Sequence, residues 1–358
     1  MAKQRFIALD ALRGLAIALM ILVNTPGSWQ HVYAPLLHAP WDGFTFADIV
    51  FPGFLFVVGA AMFYSLRTAS LTPAVLWRIC KRSALLIGIG ILLNWYPFTT
   101  AWSELRLPGV LQRIGLSYAI AAILVLSLRG RYLLPLSVLL LAGYWLLLQL
   151  FGDAQPFSLQ HNVVLKLDLL VFGPAHLYQG FGIAFDPEGL LSTMPAVVSV
   201  LAGYIVAQHL SDHTAAAGLR WLLLVAVVLL VITAVLASFW PLNKALWSGS
   251  YVTLSTAILT LLLALLLWLS DIRGKLQWVQ PWVTYGTNPL FIYILSWLWA
   301  ATLVRIPVAS TNLYQACFEL LALVLPAKMA SLLFAILHVV LFWWLSRLLY
   351  RRGIFIRL

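Results

Sequence analysis

The sequence predicts an all-α protein, a polytopic transmembrane helical bundle of about ten spans. Of its 358 residues, 63% are hydrophobic and only 9% are charged, and the mean hydropathy is +0.97. Soluble domains carry roughly 25% charged residues, so this composition excludes an ordinary soluble domain. The apolar residues are also grouped in runs of about 20, which is the length that crosses a bilayer as a helix.

Ten such runs follow one another, and we expect them to form a single domain over residues 1–358. The first run contains Asp10 and Arg13 and lacks a small-residue cleavage site, which indicates a retained span and not a cleaved signal peptide. Residues 313–326 are apolar but short, and they form an eleventh, re-entrant or interfacial piece if they enter the membrane. The ten predicted spans are 6–24, 45–66, 75–95, 108–128, 132–151, 188–210, 218–239, 247–270, 282–303 and 328–350.

The basic residues orient the chain in the membrane. With the N-terminus in the cytoplasm, fifteen of the 22 Lys and Arg residues fall on the cytoplasmic side and five on the other. Cytoplasmic loops of membrane proteins carry such an excess. The even number of spans then predicts that both termini are cytoplasmic. The net charge of +11 is therefore interpreted as a topology signal and a contact with anionic lipid headgroups, and not as a nucleic-acid site.

The candidate catalytic residues lie at the predicted outer face, opposite to the side that carries most of the basic residues. The stretch LLHAPWDGFTFADIVFPGFLFVVG, residues 36–59, carries His38 and Asp48 at the start of a span. The intervening Trp41-Asp42-Gly43 can turn the chain and bring the two side chains together. A carboxylate that orients an imidazole is the arrangement of a general base, although a structural histidine in a loop is also common. No HExxH, CxxC or GxSxG motif is present, and no metal is expected.

Polar groups at other span ends and interiors predict a polar, sugar-sized pocket. Asp10 and Arg13 share a helix face, where they form either a structural ion pair or a contact with a polar ligand. Asn24 either caps the first span or hydrogen-bonds a reacting group. Asp186 and Glu188 lie in the first turn of the sixth predicted span, where they either stabilise the helix end or bind a ligand. The remaining members of this group are Gln112, Arg113, Asn243, Lys244, Trp247 and Asn288.

Seven motifs give the chain a specific resemblance. In order and over nearly the whole chain, it resembles the heparan-α-glucosaminide N-acetyltransferase family, whose bacterial members include NagX-type proteins. The motifs are ALDALRG, VNTPG, LLHAPWDGFTFADIVFPGFLFVVG, LPGVLQRIG, FDPEGLLSTMPA, LNKALWSGSY and TNPLFIYILS. The animal lysosomal enzyme carries an extra luminal N-terminal region, whereas this sequence begins almost at its first span. The resemblance therefore implies the bacterial form, in the inner membrane.

The resemblance implies a transmembrane acyltransferase and a role for each candidate residue. Acetyl would pass from cytoplasmic acetyl-CoA to the amine of a terminal glucosamine across the membrane. The family's catalytic histidine falls on His38, and its flanking asparagine and aspartate fall on Asn24 and Asp48. His38 acts either as a base or as the residue that becomes acetylated. Expected donor-binding residues are Arg13, Arg78, Lys81, Arg82, Gln112 and Arg113; expected acceptor-binding residues are Trp41, Asp42, Asp186, Glu188, Asn243, Lys244, Trp247 and Asn288.

Two further hypotheses accompany this assignment. A homodimer is compatible with the family resemblance. The rival function is a proton-coupled amino sugar transporter that uses Asp48 or Asp10 as a proton relay, because broken spans and buried charges also suit transport. Release of free thiol from acetyl-CoA distinguishes the enzyme from the transporter.

Overall fold

A computed structural model describes residues 6–356 and confirms the all-α class. Lys3, Arg5 and Arg357, which the topology prediction assigns to the cytoplasmic side, lie outside the described residues. Within 6–356 the regular structure is helical apart from one small hairpin of strands β1 (Pro307–Val308) and β2 (Thr311–Asn312). The helices are α1 Ile7–Asn24, α2 Val50–Leu66, α3 Pro73–Trp95, α4 Val110–Ser127, α5 Leu133–Phe151, α6 Val163–Phe172, α7 Thr193–Asp212, α8 Ala215–Ala237, α9 Gly249–Leu267, α10 Leu276–Tyr285, α11 Pro289–Leu303, α12 Leu313–Ala322 and α13 Ala327–Arg351.

Over the described part of the chain, eight helical segments are long and apolar enough to cross a membrane, compared with ten predicted spans. The predicted span 75–95 is present as α3, but Arg78, Lys81 and Arg82 make its first half basic. The predicted span 282–303 is interrupted, because α10 ends at Tyr285 and α11 begins only at Pro289. Helix α12 has ten residues, or about 15 Å, which is too short to cross a bilayer.

Glycines let the central helices approach closely. Helix α2 packs against α7, where a Cβ on Gly59 would clash with the carbonyl oxygen of Val200, and one on Gly203 would clash with that of Phe56. Small residues at such crossings are typical of membrane helices, because close backbone packing replaces the hydrophobic effect as the driving force. The resulting contact brings the start of α2 alongside α7 and α9, where the candidate site lies.

The two ends of the bundle can be told apart from contacts of α1. At its beginning, the backbone N–H groups of Ile7 and Ala8 donate to the carboxylate of Asp271. Beyond its other end, the backbone N–H of Ser28 donates to the hydroxyl of Ser331, at the start of α13. The end that contains Ser28 is the predicted outer end, and it is followed directly by the His38 segment.

Residues 152–187 fold over the predicted outer end of the bundle. Helix α6 lies in this segment, and its Val164 is buried together with Phe185, Tyr144 and Leu246 in a small second core. The indole N–H of Trp41 donates to the carbonyl of Phe157 at 2.9 Å. The segment therefore covers one side of the loop that carries His38.

Candidate active site

His38 and Asp48 lie in contact at the outer rim of the bundle. Their Nδ1 and Oδ1 atoms are 2.8 Å apart, with the imidazole 43% exposed and the carboxylate fully buried. A carboxylate can only accept a hydrogen bond, so Nδ1 carries the hydrogen. In the neutral ring this leaves Nε2 with the lone pair, which is the form needed in a base.

The Asp48 carboxylate is fixed by the turn that begins the second span. Residues Phe46–Ile49 form a 3₁₀ turn ahead of α2, and Thr45 precedes it as its cap. Oδ2 of Asp48 accepts from the backbone N–H of Thr45 at 2.9 Å, its hydroxyl at 3.0 Å, and the backbone N–H of Ala39 at 3.2 Å. These donors prevent rotation of the carboxylate and leave Oδ1 for the imidazole.

Lys244 is the third ionisable group of the site, and it comes from the loop between α8 and α9. Its Nζ lies 3.0 Å from Nδ1 and 3.1 Å from Nε2 of His38, and 3.6 Å from Oδ1 of Asp48. The near-equal distances place Nζ beside the ring, between its two nitrogens. Burial lowers the pKa of Lys244, and the negative charges of Asp48 and Glu188 only partly offset that effect. We call His38, Asp48 and Lys244 the rim cluster.

A short bridge holds the two loops of the rim cluster together. Asp42 and Asn243 pair as an isolated antiparallel bridge, in which the backbone N–H of Gly43 donates to the carbonyl of Leu242 at 2.7 Å. The side-chain amide of Asn243 also donates to Oδ1 of Asp42 at 3.0 Å. Both residues are predicted to bind the acceptor, and the structure shows them joining the His38 loop to the Lys244 loop.

Trp247 and Arg113 form a buried layer below the rim cluster. The indole N–H of Trp247 donates to the hydroxyl of Ser199 at 3.2 Å, and the guanidinium of Arg113 lies 5.1 Å from the centre of the ring. Nη2 of Arg113 donates to the carbonyl of Gly189 at 2.9 Å and to the hydroxyl of Ser192. The Nε and Nη1 atoms of Arg113 have no hydrogen-bond partner among the described residues. Arg113 is thus a fully buried cation with two unused donors.

Asp186 and Glu188, which are predicted to bind the acceptor, are occupied by Arg106. Nε and Nη2 of Arg106 donate to the two oxygens of Asp186, each at 2.8 Å, and Nη2 also donates to Glu188 at 2.6 Å. Burial lowers the pKa of Arg106, but the hydrogen bonds and negative charges of these two carboxylates have the larger effect. The pKa of Arg106 is therefore raised above the ordinary arginine value. The guanidinium also lies 4.9 Å from the ring centre of Tyr178. This group therefore anchors the start of the sixth predicted span to the segment before α4.

Asp168 of α6 is a buried carboxylate that the sequence does not single out. Its Oδ1 accepts from the backbone N–H of Leu190 at 2.9 Å, whereas Oδ2 has no hydrogen-bond partner in the described part of the chain. Burial raises the pKa of Asp168 to about 6, because the Leu190 hydrogen bond and the charge of Arg113 offset only part of the desolvation.

Asn24, the predicted orienting amide, lies at a cavity of about 640 Å³ between the ends of α1 and α11. The lining includes the aromatic residues Trp29, Trp297 and Tyr314 as well as Arg305, but none of the rim cluster. Asn24 therefore lies at the same end of the bundle as His38, and within the described part of the chain the cavity that it lines does not include the rim cluster.

Asn288 and Arg13 lie toward the opposite end from His38. The side chain of Asn288 donates to the carbonyl of Ile354 at 3.0 Å and accepts from the backbone N–H of Ile356 at 2.7 Å. Asn288 thus holds the segment after α13 and is not brought near the predicted acceptor side. Arg13 donates to Asp10 at 2.8 Å, which forms an ion pair within α1, and to the carbonyl of Gly286 at 2.7 Å.

The other predicted donor-binding residues belong to α3 and α4. Arg78 and Lys81 are exposed, while the guanidinium of Arg82 lies 4.7 Å from the ring centre of Tyr118. Gln112 is buried and donates to the carbonyl of Leu107 at 2.9 Å, in the turn that begins α4. Arg78 and Lys81 are therefore exposed at the surface, whereas Gln112 has a local structural contact.

The described residues of the site do not form a cluster of metal ligands. Over residues 6–356, no group of three or more His, Cys, Asp or Glu side chains is placed to hold a metal ion. The sequence predicts the His38–Asp48 pair and places Lys244 on the acceptor side, but it does not predict the contact between Lys244 and His38. Lys244 follows Asn243, which bridges to Asp42 in the His38 loop. This pairing is not visible in the sequence, because 206 residues separate Lys244 from His38.

Comparison with known proteins gives consistent matches. Residues 5–222 match the family described as heparan-alpha-glucosaminide N-acetyltransferase, catalytic. The chain is 31% identical to the mouse (Mus musculus) heparan-alpha-glucosaminide N-acetyltransferase over 355 aligned residues, covering 82% of this chain and 53% of the mouse protein. It is 30% identical to the human (Homo sapiens) protein of the same name, covering 81% of this chain and 52% of the human protein. The chain thus spans about half the length of the curated relatives it matches.

Proposed function

Because the chain belongs to the heparan-alpha-glucosaminide N-acetyltransferase family, we propose that it is a transmembrane N-acetyltransferase. Acetyl moves from acetyl-CoA, used as a substrate on the cytoplasmic side, to the amine of a glucosamine-type sugar on the outer side. The observation that supports this proposal most strongly is the His38–Asp48 pair, with its buried carboxylate and accessible imidazole.

His38 serves as the base in this reaction. An amine attacks a thioester carbonyl only when it is unprotonated, so a proton must leave the glucosamine ammonium or the tetrahedral intermediate. Nε2 of His38 takes that proton, while Asp48 holds the ring in the required tautomer and stabilises the imidazolium that forms. Direct transfer requires only that the two substrates meet at this ring.

The distribution of cations supports a donor that approaches from the other end of the bundle. Helix α2 has 17 residues, or about 25 Å, and connects the rim at Asp48 to the turn before α3. The exposed Arg78 and Lys81 lie in the first half of α3 and suit the phosphates of CoA. Arg113 is a buried cation whose charge acts on Lys244 of the rim cluster. With its two unused donors, it is our candidate to bind the donor's acyl end.

The acceptor approaches the exposed edge of His38. Trp41 lies beside the rim cluster, with its ring centre 5.2 Å from that of Phe185, and offers an apolar surface for a sugar ring. The cavity at Asn24 is a second space at the same end of the bundle, with a mostly apolar lining. We propose that Asn24 orients the acyl carbonyl once both substrates are bound.

The proposed topology, membrane location and partners are also based on the family. We propose a single acyltransferase domain over residues 1–358 with both termini cytoplasmic, of the NagX type, in the bacterial inner membrane. Its partners are membrane lipids and the amino sugar, with a homodimer as a compatible assembly and no nucleic acid.

Purified protein in lipid nanodiscs tests the proposal with acetyl-CoA and glucosamine. The expected products are free thiol and N-acetylglucosamine in equal amounts, and His38→Ala abolishes both while His161→Ala does not. His161 is a suitable control because it also pairs with an aspartate, at 3.5 Å, but on an exposed surface. Uptake of glucosamine into proteoliposomes without thiol release would instead support the transporter.

A further inference from the structure

The primary amine of Lys244 lies where the proposed mechanism requires an acceptor amine. Its Nζ is within hydrogen-bond distance of Nε2 of His38, at 3.1 Å, and is also 3.6 Å from Oδ1 of Asp48. The ε-amine of lysine and the amine of glucosamine are the same functional group, a primary amine on carbon. The base is thus already in contact with a nucleophile that belongs to the protein.

The loop around Lys244 keeps this amine in place. Asn243 is bonded to Asp42, and the backbone N–H of Trp247 donates to the carbonyl of Lys244 at 3.0 Å. Among residues 6–356, the polar contacts of Nζ are with His38 and Asp48. Burial lowers the pKa of Lys244, so its neutral, nucleophilic form is more accessible than that of an exposed lysine.

We propose that Lys244 is a self-acetylation site, and that its amine takes the acetyl group of the donor when no amino sugar is bound. This inference rests on the proposed function, because the thioester must reach His38. A C–N bond forms between Nζ and the acetyl carbon, and the C–S bond of acetyl-CoA breaks. The proton from Nζ passes to Nε2 of His38 and then to the leaving thiolate, which gives acetyl-lysine and free CoA. No oxidant or further reactant is needed.

Acetylation of Lys244 would stop turnover. The acetyl-lysine is neutral and larger than the amine, and it would occupy the space beside the imidazole that the sugar amine must enter. The modification would therefore accumulate when donor is plentiful and acceptor is absent, and bound glucosamine would protect against it.

Peptide mass spectrometry of the full chain in nanodiscs provides the test. The protein is incubated with isotopically labelled acetyl-CoA alone, and the labelled acetyl group on each lysine is measured over time. Lys166 is the internal control, because it is 44% exposed on the outer side and paired with Asp153 at 2.6 Å. Since the base and donor act on a positioned amine, we expect Lys244 to be labelled at least about 10-fold faster than Lys166.

Two variants and one competitor complete the design. His38→Ala should remove the excess labelling of Lys244, and glucosamine should suppress it in the native protein. Lys244→Arg keeps a cation and should show no label at this position, with its thermal unfolding reporting whether the fold is retained. Equal labelling of Lys244 and Lys166, or labelling that survives in His38→Ala, would overturn the inference as uncatalysed acetylation.

The same incubations separate this inference from the proposed function. Acetylation of added glucosamine without any preferential label on Lys244 would refute self-acetylation and leave the enzyme assignment intact. If neither the sugar nor Lys244 is acetylated, the proposed function itself fails.

Discussion

Replacement of Asp48 by asparagine is predicted to reverse the hydrogen bond to His38 without removing it. Oδ2 of Asp48 accepts three hydrogen bonds, from the backbone N–H groups of Ala39 and Thr45 and from the Thr45 hydroxyl. An asparagine must keep its carbonyl oxygen in that position. Its NH₂ group then faces Nδ1 of His38, where the carboxylate oxygen lies 2.8 Å away.

The reversed hydrogen bond should disable the base. An amide NH₂ donates, so Nδ1 must accept and the ring hydrogen moves to Nε2, where the lone pair is needed. The equivalent exchange in a serine-protease triad lowers kcat by about 10⁴-fold, and we expect Asp48→Asn to lower thiol release by about 10³- to 10⁴-fold, or about 4 to 5.5 kcal/mol.

The assay measures free CoA with acetyl-CoA and glucosamine saturating, and thermal unfolding of the same samples reports the fold. Asp153→Asn is the matched control, since Asp153 also faces a histidine, His161, but is 53% exposed and outside the rim cluster. The control should retain native activity. An Asp48→Asn protein that is folded and keeps more than about a tenth of the native rate would refute a tautomer-dependent base.

Three further predictions concern other charged groups. Arg106→Ala leaves the buried carboxylate of Asp186 and the partly buried one of Glu188 without their cation. It should lower the free energy of unfolding by about 3 kcal/mol, measured by denaturation in detergent, whereas the exposed Arg131→Ala should change it little. The pKa of Asp168 is raised from 3.8 to about 6, so folding favours its neutral form. Its contribution to stability should fall by about 3 kcal/mol as pH rises through this interval and then level off, and Asp168→Asn should lack this slope. Lys244 should react with a methylating reagent with an apparent pKa below the ordinary 10.5; an unshifted value would contradict its burial.

The sequence predicts the fold class and the His38–Asp48 pair because both depend on local properties. Apolar run length determines which segments can cross a membrane, and ten residues with a turn between them are enough to bring His38 to Asp48. The interrupted span before α11 is harder to predict. Run length alone joins residues 282–303 into one span, although Gly286, Asn288 and Pro289 interrupt its apolar residues. Gly286 also packs closely against α1.

The remaining contacts of the site depend on residues that are distant in the chain. The Asp42–Asn243 bridge joins the loop of His38 to the loop of Lys244, and sequence spacing carries no information about that pairing. Arg106 likewise occupies two carboxylates about 80 residues away, which changes their interpretation from acceptor ligands to a structural anchor. Residue type indicated polar chemistry at the outer end, but three-dimensional contacts determine which groups remain available.

Stoichiometric product analysis of the native protein and His38→Ala tests the proposed chemistry most directly. Acetyl-CoA and glucosamine are supplied on opposite sides of a sealed proteoliposome, and free thiol and N-acetylglucosamine are quantified on each side. We expect thiol on the donor side and acetylated sugar on the acceptor side in equal amounts, with both lost in His38→Ala. Undiminished formation of both products by a folded His38→Ala protein would contradict the role of this imidazole as the base.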